Sequence, residues 1–202
     1  MDIYVLRHGI TEWNKLKKIQ GVADIPLAEE GIALAKATGK ALREIPFDLC
    51  FTSPLIRAKQ TALLALEERK IPLIEDNRIQ EICFGELEGI IAKDEEGNLI
   101  DPRMERFFLH PMDYERPKDG ENIPDVLKRT REFWEEMIAD PALQDKTILI
   151  STHGCAARAL LQNLYKDPEH FWHGSVPPNC SVSHVQVVDG QASFCYEDRV
   201  FG

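Results

Sequence analysis

Five side chains in the sequence share an unusual placement. Arg7 and His8 end the apolar run of "MDIYVLRHGITEWN", with Gly9 directly behind them. Arg57 follows "FTSPLI", Glu81 closes "IPLIEDNRIQE", and His153-Gly154 follows "KTILIST". Each sits just past a stretch that reads as a strand. Their combined chemistry is that of phosphoryl transfer. Two guanidiniums are planar forks that match phosphoryl oxygens. A neutral imidazole is a nucleophile toward phosphorus near neutral pH, and a carboxyl group nearby can protonate a leaving alkoxide. Gly9 and Gly154 would let the backbone approach an anion closely. A helix opening after His153 would add N–H donors and a positive dipole end. Singly, each residue has an ordinary reading: a satisfied histidine, a surface arginine, a solvated turn glutamate. Their convergence on one sheet edge carries the inference.

That convergence depends on the elements that hold them. "DIYVLRHG" reads as a strand, "PLAEEGIALAKATGKALREI" as a helix stopped by Pro46, and "FDLCFTSP" as a second strand. "LIRAKQTALLALEER" reads as a helix with Pro54 in its first turn, and "IPLIEDNRIQEI" as a short strand and a turn. "DVLKRTREFWEEMI" is amphipathic and helical. "KTILIST" has the β-branched density of a buried central strand, and "HGCAARALLQNLY" follows it as a helix. "SVSHVQVVDG" and "QASFCYEDR" form an antiparallel pair about Asp189-Gly190. Between about residues 84 and 122 the pattern degrades into a partly helical insertion lying on the main sheet. Alternating strands and helices predict a three-layer α/β/α sandwich around a mostly parallel sheet, with ligands at the carboxyl ends of the strands.

Composition bounds the partners. A formal net charge of −10 argues against nucleic acid and anionic membranes. An anionic substrate then requires basic residues to be gathered locally. No apolar run approaches the roughly 20 residues of a membrane span, and the first residues do not read as a signal peptide. Five cysteines, at 50, 83, 155, 180 and 195, show no C-x-x-C spacing. They fit buried thiols in a reducing cytoplasm better than a disulfide framework or zinc site. His170 and His173 have a metal-like spacing without a supporting carboxylate pattern and read as loop residues. His110 and His184 receive no role.

"LRHGITEWN", "QGVADIPLAEEG", "FTSPLIRAKQTA", "EICFGELEG", "DGEN" and "STHG" together resemble the signature of the histidine phosphatase superfamily, also called the phosphoglycerate mutase-like family. The resemblance runs through nearly the whole chain in order. It implies one domain over residues 1–202 with a cap-like insertion at about 84–122. It implies that His8 becomes phosphohistidine, that Arg7, Arg57 and His153 hold the phosphoryl group, and that Glu81 is the general acid and then the base. Asn14, the backbone around Gln20 and Gly21, and the Gly154 amide would lie near the substrate phosphate, with Thr11 on the same rim. No metal or organic cofactor is implied. The chemistry agrees with these roles: the arginines should depress the pKa of His8, and His153 should carry a proton once phosphate is bound.

The superfamily contains both hydrolases and mutases. Its phosphoglycerate mutases carry an arginine directly after the acid glutamate, where this chain has Ile82. They carry a lysine where it has Ala92, although Lys93 is adjacent. Arg103 and Arg106 lie near the expected double arginine at the wrong spacing. These departures favour a phosphatase of small phosphomonoesters, similar to small bacterial members such as broad-specificity and α-ribazole-phosphate phosphatases. A phosphoglycerate mutase and a non-catalytic phospho-ligand binder remain as alternatives. Lys15, Lys17 and Lys18 are candidates for a positive rim. Phe84, Met104, Phe107, Phe108 and Tyr114 should shape the leaving-group pocket, chiefly as the core of a small subdomain. The sequence leaves the physiological substrate and the oligomeric state open, a homodimer included.

Overall fold

The computed structural model describes residues 1–165, 167 and 170–201. Six strands form one sheet: β1 (Asp2–Arg7), β2 (Leu49–Thr52), β3 (Leu73–Glu75), β4 (Thr147–Thr152), β5 (Val182–Val188) and β6 (Gln191–Arg199). Their order is β3-β2-β4-β1-β5-β6. The first four in that order run parallel, and β5 and β6 join antiparallel. The expected three-layer sandwich around a mostly parallel sheet is what forms.

The centre of the sheet is buried on both faces, which explains its continuous apolar runs. Ile3 and Val5 of β1 join Ile148 and Ile150 of β4 in a core with Phe133, Trp134 and Leu160. Tyr4, Leu6 and Leu149 face the other way, toward Ala35, Leu42 and Ala62. The helices divide accordingly. α2 (Glu29–Ala41) and α3 (Ile56–Leu66) pack together over one face, and α5 (Ile123–Ala139) and α6 (Gly154–Leu161) over the other. Asn122 caps α5 in a reciprocal capping box with Asp125.

Three local readings change. A one-turn helix, α1 (Glu12–Lys15), follows β1, too short to show any period. α2 is shorter than its pattern, stopping at Ala41 before Pro46 acts. Pro54 lies outside α3, whose N-cap is Leu55.

The segment 84–122 contains one α-helix, α4 (Pro102–Leu109), N-capped by Asp101, and short 3₁₀ turns. Phe84, Met104, Phe107 and Tyr114 form a satellite core with Ile82, Val126, Phe171 and Trp172. This places an apolar wall beside the carboxyl end of β1 and β4.

Candidate active site

Register sets the first distance. β1 and β4 pair in parallel with Arg7 opposite Thr152, so His8 and His153 each lie one step beyond a matched pair. Their ring centroids are 5.1 Å apart. Both side chains are nearly excluded from solvent, as is Arg57.

Each polar group is oriented mainly by main-chain partners. His8 Nδ1 lies 2.7 Å from the Gly9 carbonyl, which fixes the proton there and leaves Nε2 with its lone pair. Arg57 donates from Nη1 to the Ala23 carbonyl at 2.8 Å and from Nη2 to the Gly21 carbonyl at 2.6 Å. Arg7 Nη1 donates to the Pro177 carbonyl. The Leu55 amide donates to Ser53 Oγ, whose hydroxyl can then donate to His153 Nε2 at 2.7 Å. That arrangement gives a neutral His153 with its proton on Nδ1.

What remains is a set of unused nitrogens. Among the described residues, Arg7 Nε, Arg57 Nε, His153 Nδ1 and Gln20 Nε2 are buried without a hydrogen-bond partner. An unsatisfied buried donor costs about 1–3 kcal/mol, so four in one neighbourhood mark a site built for an oxyanion. Burial first, then the Arg57 and Arg7 charges, pushes the His8 imidazole well below its ordinary range. The same causes, with His8 between them, act on His153. Burial also pulls the Arg57 guanidinium down to about 10, which leaves it charged at neutral pH.

Glu81 occupies the positive end of α6. One carboxylate oxygen accepts from the Gly154 and Cys155 amides at 2.9 and 3.3 Å, the other from Ala156 and Ile82 at 3.1 and 3.0 Å. The Gly154 amide, expected at the substrate phosphate, is therefore engaged by Glu81. This helix terminus satisfies a carboxylate of the protein first. Gly154 still matters sterically: a Cβ there would come 2.7 Å from Val176 Cγ1 and 3.5 Å from Arg7 Nε.

Other expected positions also take different parts. Gly9 makes room for protein instead of a ligand, since a Cβ there would lie 2.8 Å from the Gly31 carbonyl of α2. Gly21 serves through the carbonyl that holds Arg57. Thr11 is buried as the N-cap of α1, its hydroxyl 2.6 Å from Gln20 Oε1. It thus turns the Gln20 amide nitrogen free instead of standing on the rim. Asn14 closes the same capping box and lines the pocket with Gln20. Lys15 is tied to Glu12 and Glu30, whereas Lys17, Lys18 and Lys93 line the pocket.

The sequence reading missed several supporting residues. Glu88 accepts from the Val22, Ala23 and Phe84 amides and so fixes the loop whose carbonyls hold Arg57. Arg129 makes a two-pronged pair with Glu121 and donates to the carbonyls of Arg78, Gln80 and Glu81. The only available signal was that Glu88 and Glu121 fall inside the segments "FGELEG" and "DGEN". Trp172, whose indole N–H donates to the Phe107 carbonyl, closes the wall.

The pocket itself holds about 430 Å³. Arg7, Gln20 and Glu81 line it together with the apolar surfaces of Phe84, Phe107, Phe108 and Trp172. Among the described residues no cluster of three or more metal-ligating side chains occurs, and no helix is long and apolar enough to cross a membrane. The five cysteines are free thiols.

Comparison with known proteins yields a consistent set. The family model described as histidine phosphatase superfamily (branch 1) matches residues 3–196. A 2,3-bisphosphoglycerate-dependent phosphoglycerate mutase of Neisseria meningitidis is 33% identical over 194 residues, covering 81% of this chain and 85% of the relative. The solved structure of YhfR from Bacillus stearothermophilus superposes with a TM-score of 0.87 at 31% identity, covering 98% of this chain and 97% of that one. A phosphoserine phosphatase from Entamoeba histolytica, solved with phosphoserine, gives 0.80 at 26% identity, covering 98% and 96%.

Proposed function

The chain belongs to the histidine phosphatase superfamily (branch 1), and from that premise we propose that it is a phosphatase of small phosphomonoesters, working through a phosphohistidine on His8. The observation that carries the reading is the set of four partnerless nitrogens around an imidazole whose Nδ1 proton is already held.

In this reading His8 Nε2 attacks phosphorus as the bond to the ester oxygen breaks. Arg7, Arg57, His153 and Gln20 receive the three phosphoryl oxygens, where charge spreads in the transition state. Glu81, once one of the four amide contacts that fill its acceptor positions is released, gives a proton to the departing alkoxide and later takes one from the water that attacks the phosphohistidine. The P–N bond then breaks, releasing inorganic phosphate and restoring neutral His8. Phosphate binding brings a dianion against His153, which opposes the depression of its pKa and favours its protonated form. No step requires a metal. Free thiols in place of disulfides support a reducing cytoplasm as the working compartment.

The relative named as a mutase makes phosphoglycerate mutase the second reading. Three local observations favour hydrolysis. Ile82, where the mutases carry an arginine, is wholly buried in the satellite core. Arg103 is committed to Asp101 and Glu86, and Arg106 lies near Glu115. Neither arginine lines the pocket. A phosphoglycerate carboxylate therefore lacks its arginine grip.

The deciding experiment measures hydrolysis of an aryl phosphate in EDTA by the parent and by His8→Ala. In parallel, the parent is given 3-phosphoglycerate with its bisphosphate primer. We expect EDTA-resistant hydrolysis, an acid-labile phosphoenzyme missing from His8→Ala, and little mutase conversion. Efficient conversion would install the mutase reading. Loss of turnover in EDTA would overturn the metal-free mechanism, and no hydrolysis in the parent would leave a phospho-ligand binder.

A further inference from the structure

Arg158 is among the largest side chains removed from solvent, and the chemistry proposed above makes no use of it. It lies about one turn past Gly154 in α6. Its Nη2 pairs with Asp198 Oδ2 at 2.5 Å, and the Asp198 amide donates to Ser183 Oγ at 3.0 Å. Its Nη1 donates to the Tyr165 hydroxyl at 3.0 Å, which donates in turn to Glu197 at 2.7 Å. Burying an ion pair gains little stability over apolar side chains of similar volume. The worth of this one lies in what it holds.

What it holds is one side of the pocket. Nε and Nη2 of Arg158 both donate to the Ser175 carbonyl, at 3.0 and 2.8 Å. Two residues on, the Pro177 carbonyl accepts from Arg7 Nη1. The two arginines thus grip one short stretch from either end, and Val176 between them lines the pocket. The same loop carries Trp172 of the aromatic wall, and His173 stacks on the Tyr165 ring at 3.4 Å. Tyr165 therefore supports the loop with its ring and Arg158 with its hydroxyl.

Arg7 depends on that stretch. Among the described residues it has no ion pair, and the Pro177 carbonyl is the one acceptor of its guanidinium. The direction of Arg7 follows the place of that carbonyl, and with it the aim of the unused Nε. A planar guanidinium locked to a carboxylate is a stiff anchor for a carbonyl, because its fork is fixed in shape. We propose that Arg158 is a positioning residue for the phosphoryl site. Anchored on Asp198, it fixes residues 175–177, and through the Pro177 carbonyl it aims Arg7 at the phosphoryl oxygens. It touches no substrate atom itself. This rests on the assignment of Arg7 to the phosphoryl group, and it holds for a hydrolase, a mutase or a binder alike.

The test is a double-mutant cycle read by calorimetry with inorganic phosphate, which needs no turnover. Arg158→Met should weaken phosphate binding about tenfold in the parent and about twofold or less beside Arg7→Met, because the path through Arg7 is then gone. Arg158→Lys keeps the charge beside Asp198 but loses the two-pronged hold on Ser175. It should fold as the parent does and still weaken phosphate binding severalfold. If Arg158→Met does not fold, the same cycle run with Arg158→Lys decides. Arg69→Met is the control, since Arg69 holds the carbonyls of Leu42, Ile45, Ala65 and Leu66 and does not line the pocket. It should lower Tm and leave phosphate affinity within about twofold. Equal weakening with and without Arg7, parent-like affinity in the Arg158 variants, or a parent that does not bind phosphate overturns the proposal. Hydrolysis of an aryl phosphate is scored separately. A parent that binds phosphate but hydrolyses nothing sinks the phosphatase reading, while the cycle still decides the part played by Arg158.

Discussion

The floor of the pocket and its aromatic wall are held in opposite ways. On the floor, carbonyls of Gly9, Gly21 and Ala23 and amides of residues 82 and 154–156 fix His8, Arg57 and Glu81. The wall is made of side-chain surfaces. Phe84, Phe107 and Tyr114 hold one another edge to face, and Trp172 rests on Phe107. The main-chain cradle ties the chemistry to a few positions that admit no side chain, Gly9, Gly21 and Gly154 among them, whereas a side-chain wall changes shape with every replacement. The chemistry is thus anchored where replacement is least tolerated, and selectivity where it is most tolerated.

Substitutions can break or sharpen that contrast. The largest effect is expected for Glu81→Gln, which is isosteric but removes the transferable proton and sets an NH₂ against two of the backbone amides. It should lower the rate of phosphoenzyme formation from alkyl phosphates by about 10²–10⁴-fold. An equal loss on an ester with a very acidic leaving group would argue that Glu81 is not the acid, since such a group needs no proton. Arg57→Met should follow, with a loss of about 2.7–4 kcal/mol of transition-state stabilisation. Thermal unfolding must be followed beside the kinetics, because the guanidinium also ties down the loop at Gly21 and Ala23. On the wall, Phe108→Ala should raise KM several-fold for bulky aryl phosphates and leave kcat for small esters within about twofold. A uniform fall in kcat would erase the distinction between floor and wall.

The smallest expected effect concerns stability. His8 and His153 are held neutral, first by burial and then by Arg57 and its neighbours. Below about pH 6.5 the unfolded chain takes up protons that the folded site refuses. Stability contributed by these groups is therefore complete above that pH and declines as pH falls toward their depressed folded values. The fall in Tm between pH 7 and pH 5 should be shallower in His153→Gln than in the parent. Matching slopes would show that this imidazole takes up its proton over the same pH range in the folded and unfolded chain.

The sequence displayed the floor better than the wall, for physical reasons. Strand ends are legible because a continuous β-branched run stops abruptly, and His8 and His153 occupy those stops. Once the parallel order is assumed, Arg57 and Glu81 fall on the same edge. What cannot be read is which atom each group uses. Gly154 was expected to serve the phosphate through its amide, but Glu81 takes that amide, and nothing in either residue's spacing announces it. Glu88 and Arg129 act on the main chain of distant loops, 65 and 48 residues away for Ala23 and Glu81. Such contacts leave no periodicity. Trp172 and Lys93 line the pocket only because irregular segments fold back over the sheet. α1 was invisible because four residues are too few to show a helical repeat.

The position of β1 has a consequence for the order in which the protein is made. This strand is translated well before its neighbours in the sheet, β4 and β5, which begin at Thr147 and Val182. His8 therefore leaves the ribosome long before β4 and β5 are made to cover either side of its strand. The second histidine and the helix that orients Glu81 arrive with that same late portion. A nascent chain has no assembled floor until β4 and α6 have emerged, so the site cannot act before then. The long sequence separation that slows folding also keeps the unfinished protein chemically silent.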